Sequence, residues 1–183
     1  MPLILEAFTD PTNTLVIADT GAPLGSLPAV PVFVPKDPEM PVIDGNSNYI
    51  FSPFDGPGET VTLQSVFTIP SNLLPIFTVG LPVTVNFAYA ADQTATSTVS
   101  LQAINLLGVI VMDTTLFTIS NLGDKQNVAI GSGDAVVSAA LGPLQSLQVT
   151  VTTTVTAPLD AAYPLGTDGD YLGQVSVLTS PVV

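Results

Sequence analysis

Apolar and polar residues alternate along the last two thirds of the chain. In Glu59–Ile69, Val61, Leu63, Phe67 and Ile69 share one parity, and Thr60, Thr62, Gln64 and Thr68 share the other. Leu81–Ala90 repeats this, with Val83, Val85, Phe87 and Tyr89 set against Thr84, Asn86 and Ala88. Leu147, Val149, Val151 and Val155 alternate with Gln148, Thr150, Thr152 and Thr154. A period of two sends successive side chains to opposite faces of a strand, and Val and Thr suit that half-buried surface. Thr96–Ile104, Val109–Ile119, Asn127–Ile130, Asp134–Ala139 and Gly173–Leu178 read as further strands. Helical character is confined to Ala135–Leu144, a short stretch. About eight strands in roughly 120 residues, with no helices between them, predict an all-β, antiparallel two-sheet sandwich. A jelly roll is the favoured topology, and an immunoglobulin-like sandwich is second.

Proline divides the chain. Ten of the seventeen prolines lie in residues 1–58. The expected organisation is an extended, Pro-rich N-terminal arm over 1–58 and a β-sandwich domain over 59–183. Within the arm, Leu3, Ile4, Leu5 and Phe8 form one short strand-like run, and Leu15, Val16 and Ile17 a second, separated by Asp10-Pro11. Such strands either complete a sheet of their own domain or enter a neighbour's groove as donated strands. Burying these side chains contributes about 1.5–3 kcal/mol each before ordering costs. Further on, Pro31 and Pro35 share a parity opposite to Val30, Val32 and Val34. Proline lacks an N–H, so both silence the same edge and leave the other able to pair. That reads as an edge strand, or as a polyproline-II linker.

Charge changes the picture further. Of 183 residues, 9% are charged, with two lysines against fifteen carboxylates and a net charge of −13. Two lysines cannot build the cationic stripe a nucleic acid requires, and anionic lipid is repelled. The uncharged run between Glu59 and Asp92 is long enough to cross a bilayer, but Pro70, Pro75 and Pro82 interrupt it and its period is two, so no membrane insertion is expected. Cysteine, histidine, tryptophan and arginine are absent, which removes imidazole- and thiolate-based catalysis and zinc sites. Glu6, Glu39 and Glu59 lie in or beside the arm, so no carboxylate pair is positioned around a sugar. The chain is read as not an enzyme. Soluble β proteins guard their edges with lysine, inward charges or proline, and typical surfaces are about 25–35% charged. A sandwich this poor in charge is expected to use neighbouring copies of itself as cover, so its partner is itself, in a homo-oligomer or homopolymer.

Two loops are candidate calcium sites. Asp44, Asn46 and Asn48 place oxygen side chains at alternate residues, with Asp55 at the twelfth position from Asp44, as in a calcium loop. The pattern departs from an EF-hand in having Tyr49 where glycine belongs, and an Asx-rich turn is the competing reading. Asp168 and Asp170 sit in a glycine-rich stretch that equally suits a hairpin turn. The cofactor expectation is therefore none, or Ca²⁺. An adhesin or carbohydrate-binding module is a second functional reading, with Tyr49, Tyr89, Tyr163 or Tyr171 as stacking platforms; a viral capsid or spike is a third.

In its Val/Thr/Ala/Leu-rich, charge-poor texture over residues 59–183, the chain resembles two spore-surface families. These are the C-terminal jelly-roll domains of exosporium collagen-like glycoproteins and the jelly-roll subunits of endospore appendages, which polymerise through N-terminal extensions. It departs from both in lacking a Gly-X-Y stalk and N-terminal cysteines. Subunits of extracellular archaeal tubules and pili are similar in texture too. The resemblance implies a self-assembling subunit of an extracellular filament, tubule or surface layer, exposed outside the cell or on a spore. Scarce lysine and absent arginine would leave trypsin-like proteases almost no sites on such a fibre.

Overall fold

The alternation along the chain becomes the two faces of two sheets. The computed structural model describes residues 1–54, 56, 58–123, 126–156 and 169–180. Among these the strands are β1 (Leu3–Phe8), β2 (Thr14–Asp19), β3 (Val32–Val34), β4 (Tyr49–Phe51), β5 (Thr60–Pro70) and β6 (Gly80–Ala91). They continue with β7 (Thr94–Asn105), β8 (Ile110–Ser120), β9 (Ala129–Ser138), β10 (Leu144–Thr156) and β11 (Tyr171–Thr179). The helical elements among the described residues are 3₁₀ turns at Ser71–Leu73 and Ala139–Leu141.

One sheet has the order β3–β4–β11–β6–β9, with β1 also paired to β11; the other has the order β2–β5–β10–β7–β8. Every ladder is antiparallel. Setting β2, β3 and β4 aside leaves eight strands whose arrangement defines the topology. Counted along the chain, the first lies beside the eighth, then the third and the sixth; the second lies beside the seventh, then the fourth and the fifth. That winding is a jelly roll.

The core lies between the sheets. Val61, Leu63, Phe67 and Ile69 of β5 face Val83, Val85, Phe87 and Tyr89 of β6, joined by Val149, Val151 and Val155 of β10 and Val175 and Val177 of β11, all buried. Hydroxyls occupy four further inward positions of the second sheet, at Thr14, Ser65, Ser97 and Thr153. Ser97 Oγ and Thr153 Oγ1 lie 2.8 Å apart, Thr153 Oγ1 donates to the Tyr171 phenol at 2.9 Å, and Thr14 Oγ1 meets Ser65 Oγ at 2.7 Å. Each buried hydroxyl in this set has a partner, as burial away from water demands. A smaller apolar cluster of Met40, Ile43, Tyr49, Ala90 and Leu172 lies on the outer side of β11, where the chain between β3 and β4 folds over it.

Two segments differ from the sequence expectation. Asn127–Ile130 and Asp134–Ala139 belong to one strand, β9, which runs through Gly131-Ser132-Gly133 without a turn. Both glycines are required by space. A Cβ on Gly131 would stand 2.6 Å from Phe117 Cε2 and 2.7 Å from Ile119 Cγ2, and one on Gly133 would stand 2.7 Å from Phe117 Cδ1. The two sheets close against each other here through β8, and the inward positions of β9 ahead of the buried Val137 are only alanine and glycine. The helical character of Ala135–Leu144 reduces to the 3₁₀ turn at Ala139–Leu141, with Ser138 Oγ accepting from the Ala140 N–H at 3.2 Å.

Residues 1–58 supply four strands to the same two sheets. β1 pairs with β11 from Leu3↔Leu178 to Phe8↔Gln174, and β2 pairs with β5 from Thr14↔Ser65 to Asp19↔Val61. Of the two placements open to the arm, the chain's own sheets are the one seen. Residues around Pro31 and Pro35 form β3, an edge strand paired through Val32, Phe33 and Val34 to β4.

Candidate assembly surfaces

The apolar residues of the N-terminal region divide between core and solvent. Val16 is fully buried, while Ile4, Leu5 and Val34 pack partly buried against the main core. Phe8 packs on the outer cluster. Leu3, Leu15, Ile17, Val30 and Val32 keep much of their surface exposed, as does Phe33.

The sheet edges differ in protection. β2 is bridged on its outer side by Ala29, whose N–H donates to Val16 O at 3.0 Å while the Val16 N–H donates to Ala29 O at 2.8 Å. β1 is paired along β11, and no described strand pairs with its other side. Within Leu3–Phe8 there is neither proline nor lysine, and Glu6 is the single charge. The turn that follows β1 is tied internally: Asp10 Oδ1 accepts from the Thr12 N–H at 2.6 Å, and Asn13 Nδ2 donates to Phe8 O at 2.8 Å.

The two ends of the sandwich are unlike. At one end lie the β5–β6, β7–β8 and β9–β10 connections, brought together by the pairings Ser146↔Pro70, Leu144↔Asn105 and Gly80↔Ser138. Ala139 N–H donates to Val79 O at 3.0 Å, tying two of these loops directly. Sequence positions 60–91, 93–112 and 135–159 hold no charged residue, so none of the three connections carries one. Yet they expose apolar side chains: Ile76 at 95%, Leu107 at 86% and Val79 at 74%, with Leu73, Leu106 and Val109 at half or more. Between the first and third loops runs an open groove of about 540 Å³, lined by Leu74, Pro75, Ile76, Phe77, Pro143 and Leu144 among others. At the opposite end, the termini of β2, β5, β6 and β11 bring in Asp19, Glu59, Asp92 and Asp170, with Asp37 bonded beside them.

The oxygen-rich loops are placed as follows. Asp44-Gly45 forms a two-residue hairpin: both have positive φ, 47° and 78°, and Ile43 and Asn46 exchange hydrogen bonds of 3.1 and 2.8 Å. This is the type I′ geometry that Asp-Gly favours. Asn46 Oδ1 accepts from the Asn48 N–H at 2.8 Å. Asp44 Oδ2 and Glu6 Oε1 both accept from Gln174 Nε2, at 3.1 and 2.8 Å, a convergence of three distant segments that no local spacing announces. Asp170 is buried, and its Oδ2 accepts from the Asp37 N–H at 2.9 Å. Asp55 and Asp168 lie outside the described residues, as does Tyr163. Among the described residues no group of three acidic side chains is gathered to hold a metal ion.

The remaining tyrosines are interior groups. Tyr49, Tyr89 and Tyr171 are fully buried, so none presents a ring to a ligand at the surface. Burial pushes the Tyr49 phenol well above its ordinary value, and the Asp170 carboxylate adds to the shift. Burial also raises Tyr171, partly offset by the Thr153 hydroxyl, and Tyr89, partly offset by hydrogen bonds with Asn121 and Ser97. Among the described residues no helix is long and apolar enough to cross a membrane.

Fold and surface together define a jelly-roll β-sandwich with an open edge strand and one uncharged, apolar end. No protein-family model matches the sequence, and no curated protein matches it. Among solved structures, the CBM22-1 xylan-binding domain from Paenibacillus barcinonensis Xyn10C is similar at 7% identity and a TM-score of 0.43, covering 100% of this chain and 97% of that one. Infectious bursal disease virus, Gx strain, is similar at 13% identity and a TM-score of 0.38, over 67% of this chain and 29% of that one. The isomalto-dextranase of Arthrobacter globiformis T6 complexed with panose is similar at 16% identity and a TM-score of 0.34, over 75% of this chain and 20% of that one. The likeness is one of fold.

Proposed function

We propose that this chain is a structural, self-assembling subunit of an extracellular filament, tubule or surface layer, which polymerises by β-strand addition through its N-terminal strands. The observation that carries the reading is β1: a strand paired along one side, with one charge and no proline within it to blunt its other side. Such a strand supports assembly in two ways. Its open edge accepts a strand from a second copy, or β1 leaves its own β11 and docks on that of a neighbour. In the second case the β1–β11 ladder opens within one chain and re-forms between two, which is why exchange of an identical element is a low-cost route to oligomers.

Electron microscopy and sedimentation of the full-length protein, with and without calcium, test the reading. Ordered polymers are expected. A chain lacking residues 2–8 should not polymerise and should bind a peptide spanning residues 1–13 in the vacated place beside β11. Polymers unchanged by the deletion would remove the strand's role, and a full-length chain that stays monomeric at high concentration would remove the whole proposal.

A further inference from the structure

We propose that the uncharged end of the sandwich is a contact between two copies of this chain, packed end to end about a two-fold axis. Six side chains on two loops, Leu73, Ile76, Val79, Leu106, Leu107 and Val109, stand out into solvent there. Turn chemistry does not require the leucines. In the β7–β8 turn, Asn105 Oδ1 accepts from the Leu107 and Val109 N–H groups at 2.9 and 3.0 Å, and Gly108 takes the positive φ of 77°. Any polar residue would fit at 106 and 107, where hairpin tips are ordinarily hydrophilic.

Charge selects the occupant. Each copy carries −13, and the opposite end gathers Asp19, Asp37, Glu59 and Asp92 at the surface, with Asp170 buried behind them and Lys36 the one cation bonded beside Asp37 among the described residues. Two copies meeting there would bring like-charged ends together, and a head-to-tail contact would desolvate an acidic end against leucines. Apolar end on apolar end opposes no charged loops and sends the acidic ends to opposite poles. A lipid surface is disfavoured by the same residues. The three loops hold no tryptophan or tyrosine to settle at a headgroup layer, and no lysine or arginine to meet phosphates. Size sets the strength. Strands about 4.8 Å apart in sheets about 10 Å apart give a five-strand end section of roughly 24 by 20 Å, or about 500 Å² per copy. The pair then buries about 1,000 Å², the threshold for a specific interface, so the dimer should be weak and concentration-dependent. This contact uses the β5–β6 and β7–β8 loops and not the edge of β1, and it goes beyond the strand-addition reading.

The sequence has no cysteine, so single introduced cysteines report cleanly. In a two-fold contact residue i of one copy meets residue j of the other and j meets i, so Ile76→Cys and Leu107→Cys, each alone and both in one chain, should include a variant captured efficiently as a covalent dimer by a short bis-maleimide. Leu24→Cys, fully exposed in the loop after β2, should stay largely monomeric. In sedimentation equilibrium, Ile76→Asp with Leu107→Asp should weaken dimerisation by about tenfold or more, since the acids of one copy face those of the other. Circular dichroism on the double variant checks that it stays folded. Long polymers from a double variant that no longer forms the end-to-end dimer would support the contact and leave strand addition standing beside it. Equal capture at Leu24, or no dimer in the unmodified chain, would overturn the contact. So would binding to zwitterionic phosphatidylcholine vesicles that the double variant loses while the chain stays monomeric.

Discussion

At the residue scale, the polar groups placed inside the sandwich are the sharpest determinants. Thr153 sits on the core parity of β10 and joins Ser97 to the Tyr171 phenol. Thr153→Val keeps the shape and removes the hydroxyl, leaving two buried groups short of a partner. It should lower stability by about 1–3 kcal/mol, read from the urea midpoint at unchanged slope. Gly131 is constrained by volume instead. Gly131→Val drives methyl groups into Phe117 and Ile119 and should cost about 1–3 kcal/mol, whereas the outward Ser132→Val should be tolerated. The tyrosines give a pH signature. Burial, aided at Tyr49 by Asp170, keeps Tyr49, Tyr89 and Tyr171 protonated in the folded chain, while the unfolded chain releases these protons above about pH 10. The folded state therefore holds more protons in alkali. The contribution is fully present below about pH 10 and is lost as pH rises beyond it. Phenolate absorbance from these rings should appear together with loss of the β-sheet circular dichroism; phenolate from more than one ring, more than Tyr163 can supply, at about pH 10 with the sheet intact would contradict their burial.

At the element scale, alternation is a strong guide wherever a strand has a solvated face and an apolar one. The long strands β5, β6, β7, β8 and β10 are found within a few residues of their period-two runs. Pro31 and Pro35 locate an edge strand because a missing N–H is a property of the residue itself, independent of context. The pattern fails over the first part of β9, where the inward residues before Val137 are Ala129, Gly131, Gly133 and Ala135, because that face is filled by β8 side chains across the sandwich. With no large side chains there to set a period, helix propensity misreads the strand's end. For the candidate surfaces, the sequence shows the apolar arm but not its destination: Val16 becomes core while Ile17 beside it stays exposed, and only the register with β5 decides which. The uncharged end is invisible in the sequence as a unit. Its loops are separated by tens of residues and are collected by three ladders. Asp44-Gly45 carries its hairpin geometry locally, whereas its approach to Glu6 through Gln174 depends on β1 lying beside β11.

At the scale of the whole molecule, scarcity of charge is met differently on different surfaces. The outer face of the second sheet is covered by neutral hydrogen-bonding groups in register: Thr62 with Thr154 at 3.2 Å, Thr98 with Thr118 at 3.1 Å, and Gln148 with Thr68 at 3.4 Å. Asp113, which accepts from Gln102 Nε2 at 3.0 Å, is the charge on that face among the described residues, so it is wetted mainly by neutral groups. The edge strand β1 and the uncharged end are two of the places that call for cover, alongside the exposed Val32 and Phe33 of β3 and Ile130 and Val136 of β9. The charge that does exist acts at long range. Between subunits of −13 the mean force is repulsive until the short-range contacts form, and its reach is about 30 Å at 0.01 M salt but about 8 Å at 0.15 M. Neither β1 nor the exposed loops contribute cations, so salt has almost no attractive ion pairs to weaken there. Assembly should therefore start faster and at lower protein concentration as sodium chloride rises from about 0.01 to 0.15 M. Time-resolved light scattering measures this directly. Interfaces built on lysine–carboxylate pairs would give the reverse, and slower assembly at higher salt would place the contacts on charged surfaces instead of β1 and the apolar end.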